Sequence, residues 1–207
     1  MIMHSAPISP KAHLLARVWY DTRGATLTEF AFVGPVFVLM LMGLFDMTHS
    51  IYTTSLVNGA MQSAARNMTI EGATLREAQI DERVKAQVRS VVPNTATINL
   101  EKLAHFDFSD VGQAEEYTDM NGNGTCDNNE PYIESNGIAN WQANRGSTGI
   151  GGARDVVLYK VTVTYPRLFP IHGFVGMSDT VRIQGATVLR NQPFDEQNRT
   201  TTPGNCT

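Results

Sequence analysis

The 207-residue chain has only two cysteines, Cys126 and Cys206, and both lie in its C-terminal half. Charged residues make up 17% of it, and the net charge is -4 at pH 7. A nucleic-acid binder would show a basic patch or stripe, so no nucleic-acid partner is expected. Enzymatic signatures are also missing. No Gly-x-Ser-x-Gly nucleophile motif occurs, and His4, His13, His49, His105 and His172 have no zinc-ligand spacing. The stretch from Gly146 to Gly152 is glycine-rich but lacks the lysine of a phosphate-binding loop, and it reads as a flexible connection. No enzymatic activity is expected.

Long apolar runs are scarce too, because there is one and nothing offers a second. From Phe30 to Phe45 no residue is charged, and from Ala25 to Phe45 the only charge is Glu29. As a helix this run is roughly 32 Å long at about 1.5 Å per residue, enough for a bilayer core of about 30 Å. Gly34-Pro35 lies within it. Proline there removes a backbone hydrogen bond and predicts a kink, which membrane helices tolerate. A secretory signal peptide fits less well, since its apolar region is about 7 to 15 residues long and ends in small residues. Basic residues precede the run and the acidic bulk follows it, which places the N-terminus in the cytoplasm and the soluble part outside. A single carboxylate in such a segment marks a functional site.

Lys11, Arg17 and Arg23 precede Gly24, and four residues separate Gly24 from Glu29-Phe30. This arrangement resembles the processing site of type IV prepilins. With the apolar run it is similar to the TadE-like pseudopilins and minor pilins of tight-adherence (Flp-type) pili. Ala186 to Phe194, containing Arg190-Asn191-Gln192-Pro193-Phe194, resembles the C-terminal end of such domains. The resemblance implies cleavage after Gly24 by a prepilin peptidase. Ala25 would then be the first mature residue, with Glu29 fifth and Phe30 beside it. It further implies a pilin-like fold, partners among pilin subunits, pilus assembly proteins and the membrane, and residence in the inner membrane before the pilus. The competing expectation is an uncleaved, membrane-anchored periplasmic scaffold that binds calcium.

Beyond the run, Met47, Ile51, Val57, Ala60, Met61, Ala64, Ala65 and Met68 recur at helical spacing and predict that the helix continues to about Asn67. Thr74-Leu75-Arg76-Glu77 reads as a capping box for a second helix with Ile80, Val84, Val88 and Val91 on one face, ended by Pro93. Strands are predicted at Thr95–Leu100, His105–Phe108, Val156–Tyr165 and Val181–Leu189, forming an antiparallel sheet against the helices. Pro166–Asp179, with Leu168, Phe169, Ile171, Phe174 and Val175, is expected to be buried under the sheet, the alternative being contact with the membrane or a neighbouring subunit. The fold class is α+β. Residues 1–24 form a leader, 25–47 the membrane part of the helix, 48–196 an extracytoplasmic domain with an insertion at 112–150, and 197–207 a polar tail.

That insertion contains Asp119-Met120-Asn121-Gly122-Asn123-Gly124-Thr125-Cys126-Asp127-Asn128-Asn129-Glu130, a match to the twelve-residue EF-hand calcium loop. Oxygen ligands fall on Asp119, Asn121, Asn123, Asp127 and Glu130, with the Thr125 carbonyl at the seventh place and Gly124 at the sharp turn. Glu134 is a further candidate ligand. Cys126 at the eighth place and Pro131 just after the loop depart from the helix-flanked form. Calcium is therefore expected as a structural ion. Two cysteines in an oxidising compartment suggest one Cys126–Cys206 disulfide, with two free thiols as the alternative.

Overall fold

The computed structural model describes residues 23–197 and 201–207, so most of the expected leader lies outside the described residues. The chain divides into two compact units, Met1–Asp46 and Met47–Thr207. One helix, α1 (Arg23–Met68), runs from the first into the second, with Pro35 inside it. In the second unit follow a 3-10 turn (Ala73–Arg76), α2 (Glu77–Arg89), β1 (Thr97–His105), a 3-10 turn (Phe108–Asp110) and β2 (Pro131–Glu134). Then come β3 (Ser147–Thr148), β4 (Val156–Pro166), the short α3 (His172–Val175), β5 (Thr180–Arg190) and β6 (Thr202–Asn205). The architecture is α+β, with a long N-terminal helix, a second helix and antiparallel sheets.

The main sheet has the order β3-β1-β4-β5. β4 sits at its centre because its alternation is the strongest in the chain. Val157, Tyr159, Val161, Val163 and Tyr165 share one face and are all buried. Four of these, Tyr159 to Tyr165, pack in one core with Val57, Ala60, Met61, Ala64 and Met68 of α1 and Ile80, Val84 and Val88 of α2. Burying a side chain of this size is worth about 1.5–3 kcal/mol. β1 pairs with β4 from Thr97↔Thr164 to His105↔Val156, and β5 pairs along the other edge from Val156↔Arg190 to Pro166↔Thr180. Lys102 on β1 binds Glu77 and Asp81 of α2, fastening that helix to the sheet. On the other side α1 approaches β5 closely. A Cβ on Gly185 would lie 3.0 Å from Asn58 Oδ1 and 3.1 Å from Met61 Cε.

The ends of this packing fix its direction. His49 Nε2 lies 2.9 Å from the Val91 carbonyl and its ring meets Tyr165 edge-on, with centroids 5.6 Å apart. At the other end the Gln192 N–H donates to the Thr69 carbonyl at 3.0 Å. The part of α1 between these anchors, residues 49–69, spans about 30 Å at 1.5 Å per residue. That matches about 33 Å for ten steps of an extended strand. The insertion after His105 therefore leaves the sheet at the end away from His49.

Several expectations need correction. Met47 and Ile51 do not join the core: they are exposed, while Asp46 and Thr53 are buried instead. Counting back by 3.6 from Val57, Ala60 and Ala64 reaches Thr53 rather than Ile51, so the core-facing stripe turns polar at its start. The capping box does not form. Ala73–Arg76 is a 3-10 turn, and α2 begins at Glu77 without a side-chain cap. The two strands expected around residues 95–108 are one, β1. It ends at His105 because the Asp107 carboxylate accepts the Phe108 N–H at 2.7 Å and starts a turn instead. A strand pair that the sequence did not mark holds the polar tail, Thr202–Asn205 against Pro131–Glu134. The supposed linker at 146–152 contains edge strand β3, and a Cβ on Gly146 would lie 2.8 Å from the His105 ring. Of the apolar residues between β4 and β5, only Ile171 is buried.

Candidate functional site

Two regions carry the residues singled out by the sequence. The first is the start of α1. Gly24 lies in its first turn, and Glu29 and Phe30 are both exposed. Leu27, Phe30, Phe32, Val33, Val36, Phe37, Met40, Leu44 and Phe45 extend an outward apolar surface along this segment. Among the described residues, this is the one helix long and apolar enough to cross a membrane. The ring of Phe30 covers Gly34, one turn on, where an added Cβ would lie 3.3 Å from it. Exposed apolar side chains on every face of a helix are unstable in water and stable in lipid, so this segment suits a membrane rather than water.

The second region is the loop from Asp119 to Glu130, and its geometry follows from short side chains on alternate residues. The Asp119 carboxylate accepts the backbone N–H groups of Gly122, Asn123 and Gly124 at 2.6–3.2 Å. Gly122 and Gly124 both take φ near +76°, where glycine is favoured. Asn121 and Asn123 each accept the N–H two residues on, at 2.9 and 2.8 Å, and both donate their amides to Asp127 at 2.9 Å. Thr125 donates its hydroxyl to Asn123 Oδ1 at 2.7 Å. The Asn123 amide foremost, with Asn121, Thr125 and Asn128, holds the Asp127 carboxyl below its ordinary range. Glu130 is buried, and its carboxylate accepts from Met120, Asn121 and Asp127. The six expected first-loop ligands thus lie within one hydrogen-bonded loop. Glu134 does not join them: its Oε1 accepts the N–H groups of Asn136, Gly137 and Ile138 in a turn of its own. Among the described residues, no three carboxylate, histidine or cysteine side chains are gathered as a ready metal cluster. The oxygens are engaged with the loop's own donors: Asp119 Oδ1, both Asp127 oxygens and Glu130 Oε1 each accept two hydrogen bonds, and Asp119 Oδ2 and Glu130 Oε2 each accept one.

Cys126 in this loop is bonded to Cys206 across 80 residues of sequence, with Cα atoms 5.4 Å apart. Beside the bridge, the Cys206 N–H donates to the Glu130 carbonyl at 2.8 Å and the Asn129 N–H to the Cys206 carbonyl at 3.1 Å. The chain terminus therefore closes over the loop's exit.

The frame of the insertion rests on residues that sequence reading passed over. Glu115 is buried, and its carboxylate accepts Ser135 N–H and Gln142 N–H, both at 2.9 Å. Trp141 donates its indole N–H to the Glu115 carbonyl at 2.8 Å, and Arg145 binds Asp110 and Glu116. Buried His105 meets Asn144 Oδ1 at 3.1 Å. The only available signal was a pair of carboxylates, Glu115-Glu116, between Ala114 and Tyr117, which does not announce partners 20 and 27 positions away.

Residues 24–66 match the family described as TadE-like protein. No curated protein and no solved structure gives a significant match to the chain. The matched span covers Gly24, Ala25, Glu29 and Phe30 and the whole apolar surface of α1. Residues 24–66 are thus a TadE-like segment, and they point to a protein associated with tight-adherence pili.

Proposed function

We propose that the chain is a pseudopilin or minor pilin of a tight-adherence type IV pilus system, with a structural rather than a catalytic role. A prepilin peptidase cuts after Gly24. The mature protein, starting at Ala25, stands in the inner membrane with its folded unit outside, and from there it enters or assists the pilus. The observation that carries this reading is the exposed apolar surface of α1, interrupted by one carboxylate, Glu29, five positions after Gly24. Cleavage creates an α-amino group with a pKa near 8, hence positive at neutral pH. When the apolar helices of several subunits pack together, Glu29 pairs with that amine and offsets part of the cost of removing both charges from water. Glu29→Ala tests this. It removes a charge from an apolar segment, so membrane insertion is retained, while co-purification with the other pilin subunits is lost. Normal co-purification of the variant would contradict the pairing.

The Asp119–Glu130 loop binds calcium as a structural ion in this reading. Asp119, Asn121, Asn123 and Asp127 would contribute side-chain oxygens, Thr125 its carbonyl and Glu130 both carboxylate oxygens. The support is chemical: hard oxygen donors on alternate short side chains suit an ion that takes six to eight oxygens. The ion would add cohesion to a loop that otherwise satisfies its carboxylates internally.

A further inference from the structure

The turn between β4 and β5 displays more apolar side chain than a solvated hairpin requires. From Leu168 to Met177 there is no Asp, Glu, Lys or Arg. Phe174 is 73% exposed and Val175 61%, and Leu168 and Met177 are each 45% exposed. These side chains are not on a slack loop. Ile171 is buried and its carbonyl accepts the N–H groups of Phe174 and Val175, while Met177 N–H donates to the His172 carbonyl. Gly176 reverses the chain at φ +67°, and the base is closed by Arg167, whose Nε donates to the Ser178 carbonyl at 2.7 Å. A rigid turn thus holds four apolar side chains outward.

Its position in the Met47–Thr207 unit tells what it meets. The turn follows directly on Tyr165, and Tyr165 contacts His49, at the start of the unit's share of α1. The same end carries exposed Met47 and Ile51, which share a helix face at i, i+4. The turn therefore lies at the end where α1 enters the unit from its apolar segment.

We propose that the β4–β5 turn, with Met47 and Ile51, is a lipid-docking surface that rests in the headgroup region of the bilayer crossed by α1. This rests on the membrane anchoring proposed above. Phe, Leu, Val and Met with no charge among them enter that region at little desolvation cost, typically to a depth of about 5–10 Å. Four side chains are few against the roughly 20–30 residues per side of a specific protein interface. Met47 and Ile51, exposed at the same end, directly follow the apolar part of α1 along the chain, which favours lipid over a second copy.

Spin labels on the full chain, reconstituted in phosphatidylethanolamine/phosphatidylglycerol bilayers with the Cys126–Cys206 bridge oxidised, test the proposal. Single unpaired cysteines are introduced as Val175→Cys in the turn, Val38→Cys in the apolar segment and Ile133→Cys in β2, all at exposed positions. The label at 175 is expected to collide more with oxygen and less with an aqueous nickel chelate than the label at 133. Its depth should be roughly 5–10 Å below the phosphates. A label at 175 as open to nickel as that at 133 overturns the docking. So does spin–spin broadening at 175 that grows with the protein-to-lipid ratio without the oxygen contrast, which identifies a second copy. The label at 38 separates the two claims: lipid-like at 38 with water-like at 175 removes the docking alone, whereas water-like at both removes the anchoring as well.

Discussion

Three carboxylates show how one side chain can carry opposite meanings. Glu29 is legible in the sequence because a charge inside an apolar run has no cheap reason to be there. Glu130 is legible through spacing, as the twelfth residue of a loop pattern. Glu115 is not legible, because its partners Ser135 and Gln142 become neighbours only when the insertion folds. Its loss should nevertheless destabilise the insertion. Glu115→Ala leaves two backbone N–H groups without an acceptor in a buried place, at about 1–3 kcal/mol for each. Denaturant unfolding of the detergent-solubilised chain should show a matching drop in stability, and an unchanged midpoint would mean that water replaces the carboxylate.

At the scale of elements, β4 and the core stripe of α1 from Val57 to Met68 could be read because their periods of 2 and 3.6 are unbroken. The start of that stripe was misread. Met47 and Ile51 are apolar and correctly spaced from each other, but out of phase with Val57, and phase rather than composition decides which face is buried. The capping box failed for a similar reason: its residues are present, yet Gly72 at φ +73° leads the chain into a 3-10 turn first. Contact between α1 and β5 depends on Gly185, which no pattern marked. Gly185→Val should push Met61 and Asn58 apart and cost about 1–3 kcal/mol by overpacking, read as a lower melting temperature. A wild-type melting curve would show that α1 can slide to make room.

The expected Cys126–Cys206 bridge joins the tail to the Asp119–Glu130 loop, but the pairing of β2 with β6 was not legible, since it spans some 70 positions that include β4 and β5. Cys206→Ser should release β6 and expose Tyr132, which lies against Gly204. In the loop-entropy model a closed interval of 80 residues contributes roughly 4 kcal/mol. Protease cutting near the C-terminus should rise in the variant, and an unaltered digestion pattern would mean that strand pairing alone holds the tail. For the loop itself, the full chain in detergent should melt higher in millimolar calcium than in chelator, gaining about 2.7 kcal/mol at one hundred times the dissociation constant if only the folded state binds. Asp119→Ala combined with Glu130→Gln should abolish the difference. Equal curves for the wild type, with no heat of binding by calorimetry, would leave the loop as an Asn/Gly-rich turn held by its own hydrogen bonds.

The described residues comprise an apolar N-terminal helix segment, exposed along its length, and a folded unit from Met47 with its own core. The folded unit places its apolar turn at the end where that helix enters and its disulfide-closed insertion at the other end. The central claim is that the chain is processed as a prepilin, and Gly24 is where it can be tested most directly. The measurement is the N-terminal sequence of the mature protein purified from a cell that carries the tight-adherence peptidase, beside the Gly24→Leu variant. The account predicts Ala25 as the first residue of the wild type and an uncut leader on the variant. A wild-type protein that still begins at Met1 would contradict it.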